Sequence, residues 1–418
     1  MRKILIVGAG QAGLQLALCL RAEGYDVTIM SARTADEIQG GWPTSTQAMF
    51  APALEHERDY GLNLWDDVEH PHLVGIGATI APVPGVKALS FYGPWDRPGA
   101  SIDQRLKMST WLRLFESRGG HVVYHPVMTS DLAGLVQLYD LVVVAAGKGE
   151  IVDLFDRDPV RSVYEYPGRV LSAIYLDGVE WSRDYPEPRV RINIEPGVAE
   201  TFTMPGLTMS GPCEILLIEA VPNGPFDIFR DRPGPTEHLR RARLLLNEHF
   251  PWEGELYYRA RPAGPRATLA GAFTTTVRRP AAEITPGKYV LGMGDVVVVM
   301  DPISGQGANC ASHSAHVYLK AILERGGKPF DREWMEETFE TYYHEYAQHS
   351  LALTMTLLEP MSQHVQQMIS AAGRYPQIAK RFGNLFPYPA DIHDWLLDPA
   401  KGAAYVASVA GGWGGRPR

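Results

Sequence analysis

The sequence lacks most of the features that a disulfide-bonded, metal-binding, membrane-spanning or nucleic-acid-binding protein would need. Its 418 residues include only three cysteines, Cys19, Cys213 and Cys310, which lie far apart and lack the spacing of a disulfide framework or a metal site. No apolar stretch reaches the roughly 18 residues of a membrane-spanning helix. The formal net charge is −9, and no basic cluster is present to contact phosphates. We therefore expect a globular, cytoplasmic protein with no metal, membrane or nucleic-acid partner.

The first thirty residues contain the strongest local pattern in the chain. An apolar run, Lys3 to Val7, leads directly into a turn containing Gly8, Gly10 and Gly13 and then into a helical segment. In a strand–turn–helix unit of this kind, the first glycine allows the tight turn, the second lets a pyrophosphate approach the backbone, and the third lets the helix pack on the strand. The pattern predicts a dinucleotide site at the helix N-terminus.

A secretory signal is the alternative for this segment, because Arg2 and Lys3 precede an apolar run. The three glycines and Gln11 interrupt that run, and no small-residue cleavage site follows. We therefore favour the dinucleotide site.

The second predicted strand, residues 26–30, is not followed by the acidic residue that usually binds a ribose. The chain has Arg33 near that position instead. Three roles for Arg33 remain open at this point: a contact with the 2′-phosphate of NADP, a contact along an adenine or a pyrophosphate, or an exposed loop charge.

The next part of the chain has no long helical period before residue 101. Residues 34–100 are rich in proline, glycine and tryptophan, which predicts loops and short strands around a pocket. The aromatic segment 91–95 forms either a pocket wall or ordinary packing, and packing is favoured. A helix is predicted from Ser101 to the Gly119–Gly120 pair. Arg105 lies in its first turn, where a cation gains nothing from the helix dipole, so it either contacts a phosphate or flavin or is exposed.

The pattern changes after residue 150. Residues 151–270 contain β-branched, alternating segments, which predict a mainly antiparallel sheet over a pocket. We therefore predict a dinucleotide-binding domain from residues 1–150 plus 271–330, in which 34–100 contribute pocket loops and strands. A substrate domain would span residues 151–270, and residues 331–418 would form a C-terminal helical region.

A second glycine-rich constellation decides the nature of the cofactor. A predicted strand ends in Gly294-Asp295, and six residues later the segment 301–309 leads into a helix from about Ala308. A carboxylate at a strand end can hold a polyol, and backbone N–H groups at a helix N-terminus can stabilise negative charge on a reduced flavin ring.

Taken together, these segments resemble the FAD-dependent styrene and indole monooxygenases, the epoxidase components of two-component flavin systems. The resemblance covers essentially the whole chain, and an Arg just past the second strand is also found in that branch. It implies an α/β fold with a Rossmann-like FAD-binding domain of the flavin hydroxylase type, a mainly antiparallel β substrate domain and a C-terminal helical segment. The segments that carry it are Gly8-Ala9-Gly10-x-Ala12-Gly13-Leu14, Asp26-Val27-Thr28, Phe91-Tyr92-Gly93, Asp103-x-Arg105-Leu106, Tyr139-Asp140-Leu141-x-Val143-Val144, Gly294-Asp295 and Asp301-Pro302-x-x-Gly305-Gln306-Gly307-Ala308-Asn309.

The resemblance implies a set of cofactor contacts at both ends of the chain. The FAD pyrophosphate would be held by Gly8, Gly10, Ala12 and Gly13, and the adenosine and phosphates would be flanked by Arg33 and Arg105. The ribityl chain would be held by Asp295, beside Gly294. The isoalloxazine ring would be bordered by Pro302, Gly305, Gln306, Gly307 and Asn309.

The resemblance also implies a substrate pocket. Where the styrene enzymes carry Asn, Val and His in the pocket loop, this chain has Ser45, Gln47 and Met49, the pattern associated with the indole branch. Indole is therefore favoured. Ser45 and Gln47 would hydrogen-bond the peroxide or the indole N–H, and Met49 would be an apolar wall.

The chemistry implied by the family needs a partner enzyme. A separate NADH:flavin reductase would supply FADH2, which reacts with O2 on this protein to give a C4a-hydroperoxide. That species would epoxidise indole or styrene-like alkenes, or oxygenate sulfides at sulfur. The cofactor carries that reaction, so no catalytic acid or base and no metal are expected. A homodimer is compatible with the sequence.

Other hypotheses remain open at this stage. One is a single-component aromatic hydroxylase that consumes NAD(P)H itself, and another is an escort-type binding protein of the same fold without flavin. A two-component halogenase is disfavoured, because the chain has no Trp-x-Trp-x-Ile-Pro segment.

Overall fold

The computed structural model describes residues 2–147, 149–182 and 187–413. Its strands are β1 (Lys3–Val7), β2 (Asp26–Ser31), β3 (Leu73–Ile80), β4 (Leu89–Gly99), β5 (His121–Tyr124), β6 (Leu141–Val144), β7 (Val170–Asp177), β8 (Val190–Glu195), β9 (Ala199–Thr208), β10 (Gly211–Ala220), β11 (Arg261–Pro262), β12 (Thr268–Gly271), β13 (Thr276–Val277), β14 (Ala281–Thr285), β15 (Lys288–Gly292) and β16 (Val298–Val299). Its α-helices are α1 (Gln11–Ala22), α2 (Ala35–Gln39), α3 (Ala51–Arg58), α4 (Gln104–Ser117), α5 (Thr129–Leu138), α6 (Pro235–His249), α7 (Pro251–Gly254), α8 (Gly307–Arg325), α9 (Arg332–Tyr342), α10 (Gln348–Leu358), α11 (Gln363–Ala372), α12 (Pro376–Asn384) and α13 (Pro399–Trp413).

The first sheet has six strands in the order β14-β15-β6-β1-β2-β5, and all neighbours are parallel except β14 and β15. Strand β1 lies inside this sheet, and its residues Ile4, Leu5 and Ile6 are fully buried. Burial on both faces is what the unbroken apolar sequence of β1 predicts. Helix α1 packs against α4 and α8, and α5 contacts β6, β14 and β15. This confirms the predicted Rossmann-like arrangement, in which the carboxyl ends of parallel strands meet a helix N-terminus.

The second sheet is mainly antiparallel and follows the order β11-β7-β10-β9-β8-β3-β4, with β12 also pairing with β7. One face packs on α6, through alternate residues such as Ile174 and Leu176 of β7. Ala173 and Tyr175, on the same strand, face the opposite way. This alternation is what a strand between two apolar surfaces requires.

The segment before residue 101 differs from the prediction of loops and short strands. Strand β4 is 11 residues long, and β3 and β4 both belong to the second sheet. Helix α3 has Pro52 in its first turn, where proline is compatible with a helix. The predicted domain boundaries stay a prediction.

The C-terminal part of the described chain is helical. Asp331 begins a long helix by accepting a hydrogen bond from the Trp334 N–H at 3.0 Å. This helix continues from α9 through a π-helical turn, Tyr343–Ala347, into α10 and ends before Pro360. Residues 414–418 of the predicted C-terminal region lie outside the described residues. No helix among the described residues has the length and hydropathy needed to cross a bilayer.

Helices α3 and α8 contact each other through three histidines. Nε2 of His56 lies 3.1 Å from Nδ1 of His313. The ring of His56 stacks on His316 with centroids 3.8 Å apart, and His313 stacks on Tyr346 at 4.1 Å. Burial, with the positive charges of His316 and Lys320, lowers the pKa of His56 from 6.5 to about 4. Burial also lowers the pKa of His313.

We expect this contact to make the fold acid-sensitive. Below pH 6.5 these rings bind protons in the unfolded chain, whereas His56 of the folded protein does so only near pH 4. The free energy of unfolding therefore has its full value above about pH 6.5 and decreases as the pH falls toward 4. The lowered pKa of His56 alone should cost about 2 kcal/mol of unfolding free energy at about pH 5. His313→Gln should therefore lose less stability than the wild type between about pH 7 and about pH 5 in denaturant titrations. His121→Gln, at an exposed position, is the control and should follow the wild type; an unchanged pH profile for His313→Gln would contradict the prediction.

Candidate active site

One large cavity lies between the two sheets and has a volume of about 780 Å³. Its walls come from the two glycine-rich turns, the loop 44–50, the inner face of the second sheet and one C-terminal residue. Twelve of the sequence-predicted site residues line it: Gly8, Gly10, Ala12, Arg33, Ser45, Gln47, Arg105, Gly294, Asp295, Pro302, Gly305 and Gly307. The structure therefore brings together residues that are up to about 300 positions apart in the chain.

The first glycine turn has the geometry that its sequence predicts. Gly8 has φ +116°, and a Cβ there would lie 2.8 Å from the backbone of Ala145. A Cβ on Gly13 would lie 2.2 Å from the carbonyl oxygen of Gly8, so only glycine lets α1 pack this closely on the turn. A Cβ on Gly10, the N-cap of α1, would meet no protein atom within 4 Å. The space beside Gly10 thus belongs to the cavity.

The second glycine turn repeats this arrangement at the N-terminus of α8. Oδ1 of Asp301 accepts a hydrogen bond from the Ile303 N–H at 3.1 Å, and Gly305 follows with φ +65°. Gly307, the first residue of α8, also has open space where a Cβ would be. Burial raises the pKa of Asp301, and burial and the charge of Asp301 raise the pKa of the neighbouring Glu219.

These residues fit a flavin dinucleotide. Two helix N-termini, each with free backbone N–H groups and an unfilled glycine position, line one cavity. Such positions suit a pyrophosphate at one end and an electron-rich ring at the other. Gly10 and Gly307 would allow the close approach, and Arg33 and Asp295 lie on the cavity surface.

Arg105 is not an exposed surface charge. Its Nη2 lies 2.5 Å from Oδ2 of Asp103, and its Nη1 donates to the carbonyl of Arg266 at 2.8 Å. The guanidinium also lies 5.4 Å from the ring centroid of Tyr175. Arg105 therefore lines the cavity in a fixed position, which is compatible with the contact implied by the resemblance.

The pocket loop is fixed by contacts with two other parts of the chain and by one contact within it. The hydroxyl of Tyr175 donates to the carbonyl of Ser45 at 2.7 Å, and Oγ of Ser45 accepts the N–H of Gln47 at 3.1 Å. Asn309 accepts the N–H of Phe50 and donates to the carbonyl of Ala48, both at 2.8 Å. Gln47 has φ +25°, an unfavourable conformation for a non-glycine residue that is typical of functional sites.

Four predicted residues lie behind the lining rather than on it. Gly13 lies in the packed turn, and Asn309 joins the pocket loop to the second glycine turn. Gln306 donates to the carbonyl of Phe386 at 2.7 Å and accepts from Ser350 at 3.2 Å. Met49 is almost fully buried with Ala53, Leu54 and Ala100. The geometry corrects the expectation that Met49 is a wall of the pocket, because Met49 is not among the residues that line the cavity.

Sequence reasoning missed most of the apolar chamber. The inner face of the second sheet supplies Ile76, Leu171, Ala173, Val190, Phe202, Met204 and Leu217 to the cavity, and Trp42, Trp95 and Phe386 complete it. Segment 91–95 was expected to form either a pocket wall or ordinary packing. Its residue Trp95 does both, because it lines the cavity and also packs edge-on against Phe50. The alternation within β7 to β10 was the available signal, but the cavity-facing register could not be assigned without the neighbouring strands.

Comparison with known proteins assigns the family. Residues 147–255 match the family model described as "Styrene monooxygenase A putative substrate binding domain". Styrene monooxygenase StyA of a Pseudomonas species is 31% identical over 425 residues, which cover 98% of each chain. Its counterpart from Pseudomonas fluorescens is 32% identical over 336 residues, or 77% of each chain.

Solved structures agree on the fold. A flavoprotein/dehydrogenase from Cytophaga hutchinsonii superposes with a TM-score of 0.67 at 12% identity, covering 92% of each chain. At this identity the likeness concerns the fold alone. The two glycine turns around one cavity and the extended sequence identity lead to one conclusion: the chain belongs to the styrene monooxygenase family of FAD-dependent monooxygenases.

Proposed function

We propose that this protein is the oxygenase component of a two-component system, with reduced FAD supplied by a separate NADH:flavin reductase. Its substrates would be indole and styrene-like alkenes, which it would epoxidise, and sulfides, which it would convert to sulfoxides. The observation that carries the proposal is a single cavity that joins both glycine turns to an apolar chamber. Bound reduced flavin supplies the two electrons with which O2 is split, one oxygen atom going to the C=C bond and the other to water.

The residues of this chain bind and orient rather than transfer protons. Gly10 and Gly307 leave room for the cofactor at two helix N-termini. The aliphatic and aromatic face of the second sheet excludes water from the chamber. Ser45 and Gln47 are the polar side chains of the pocket loop that we assign to the substrate, and Tyr175 and Asn309 hold that loop in place.

A reconstituted assay tests the proposal. Purified protein is incubated with FAD, NADH and an unrelated free flavin reductase, with catalase present to remove free peroxide, and indole or styrene is added separately. We expect blue pigment from indole and epoxide from styrene only when the reductase is present, and no NAD(P)H consumption by the protein alone. NAD(P)H consumption without reductase would support a single-component hydroxylase instead.

The pocket loop should set the preference between substrates. We expect the double variant Ser45→Ala with Gln47→Met to lower the ratio of indole to styrene kcat/KM by roughly tenfold, because it removes two hydrogen-bonding groups that styrene does not need. Met49→Leu should leave this ratio within about twofold, since Met49 packs behind the cavity lining. An unchanged ratio in the double variant would refute the assigned role of Ser45 and Gln47.

A further inference from the structure

A chain of buried polar side chains leads from helix α4 to the pocket loop. Nζ of Lys107 lies 2.5 Å from Oε1 of Glu57, and both side chains are almost completely buried. Nε2 of Gln11 donates to the same Oε1 at 2.9 Å. Nε2 of Gln47 donates to Oε1 of Gln11 at 3.4 Å. The chain therefore connects a buried ion pair with a side chain on the cavity surface.

The direction of each hydrogen bond follows from the ion pair. An ionised carboxylate can only accept, so Glu57 requires the amide NH2 of Gln11 to face it. The other hydrogen of that NH2 goes to Oε1 of Gln15 at 2.9 Å. Oε1 of Gln11 is then left facing Gln47 and must receive a donor, which turns the Gln47 NH2 toward it.

This orientation leaves the acceptor at the cavity end of the chain without a partner. Oε1 of Gln47 is buried and accepts no hydrogen bond from the described residues, although Gln47 lines the cavity. A buried unpaired acceptor costs free energy that a ligand N–H can recover. The strained backbone of Gln47 also indicates that this residue binds a ligand, since strain of this kind is retained mainly at binding sites.

We infer that Lys107 and Glu57, acting through Gln11, are positioning residues that hold Gln47 as a fixed hydrogen-bond acceptor for the ring N–H of a bicyclic aromatic substrate. The inference rests on the proposed function and specifies how the cavity selects its substrate. A comparison of indole with indene separates the hydrogen bond to Gln47 from the fit of the ring system, because the two compounds have nearly the same shape and only indole carries the N–H.

Two variants interrupt the chain without leaving a lone buried charge. Gln11→Met removes the link itself. The double variant Lys107→Met with Glu57→Gln replaces the pair with neutral side chains. The amide introduced by Glu57→Gln can offer Gln11 either its oxygen or its NH2, so the orientation is no longer imposed. Gln15→Met is the matched control, because Gln15 is buried on the same helix and bonded to Gln11 but lies outside the path from Glu57 to Gln47.

The experiment measures the ratio of indole to indene in two ways. The first is kcat/KM in the reconstituted assay, and the second is the dissociation constant for each compound with the FAD-loaded, oxidised protein, where no turnover occurs. We expect Gln11→Met and the double variant to lower the preference for indole three- to tenfold in both measurements, through KM rather than kcat, and Gln15→Met to leave it unchanged.

The outcomes separate the inference from the proposed function. Wild-type protein that oxidises neither compound would refute the function, and the ratio of dissociation constants would then decide the inference on its own. Ratios that stay at the wild-type value in Gln11→Met and in the double variant would overturn the inference while leaving the function intact. A change of the same size in Gln15→Met would also overturn it, because the effect would then be general loosening of the helix.

Discussion

Glu57→Gln alone should lower the free energy of unfolding by about 3–5 kcal/mol, because it leaves the ammonium group of Lys107 buried without its counter-charge. Both side chains are almost inaccessible to solvent, with exposures of 1% for Lys107 and 0% for Glu57. Burial raises the pKa of Glu57 and lowers the pKa of Lys107, and the attraction between the two charges opposes both shifts. Each of the two charges is therefore stabilised in the folded protein by the presence of the other.

The double variant Lys107→Met with Glu57→Gln is the test of this account. Replacement of a whole buried ion pair is often close to neutral, so we expect the double variant to be within about 1–2 kcal/mol of the wild type and more stable than Glu57→Gln. The measurement is a double-mutant cycle by chemical denaturation that includes Lys107→Met. Additive losses, with the double variant less stable than either single variant, would contradict the prediction.

The second large effect is expected at the first glycine turn, where two alanine substitutions should behave differently. Gly10→Ala places its Cβ in the cavity, so FAD affinity should fall at least tenfold while the unfolding free energy changes by less than about 1 kcal/mol. Gly13→Ala places its Cβ 2.2 Å from the Gly8 carbonyl oxygen. It should therefore lose about 2–3 kcal/mol of stability as well as FAD binding.

Flavin titration and denaturant unfolding of both variants check these effects together. Gly134→Ala is the control for alanine substitution at a helical glycine, because Gly134 lies on an exposed face of α5 with open space where a Cβ would be. It should lower neither the FAD affinity nor the free energy of unfolding. Equal FAD affinity in Gly10→Ala and the wild type would show that the cofactor does not approach this turn.

Local patterns were sufficient to predict the parts of the fold that hold the cofactor. The apolar run β1, the three glycines and helix α1 follow one another without interruption, so their geometry depends little on distant residues. The same holds for the turn 301–307 before α8. Sequence reasoning missed helix α3 because a proline such as Pro52 is also typical of a loop, although its position in the first turn is compatible with a helix.

The substrate side of the cavity depends on long-range contacts and was harder to predict. Strand β9 is buried at all ten of its positions, so the alternation of its polar and apolar residues does not show which of its faces meets the cavity. Phe386 reaches the cavity from the C-terminal region. Gln11 and Gln47 are 36 positions apart in the chain, and Glu57 and Lys107 are 50 apart. Such contacts form only when the two sheets and their helices pack, and a single sequence contains no direct record of them.

The most direct test of the central claim is a single-turnover experiment. Protein is mixed under anaerobic conditions with one equivalent of chemically reduced FAD, without NADH or reductase, and is then exposed to O2 and excess indole. If the two glycine turns hold the flavin beside the apolar chamber, oxidised indole should form in an amount approaching one equivalent, and Gly10→Ala should form much less. Complete oxidation of the flavin to FAD and hydrogen peroxide, with the indole unchanged, would contradict the account.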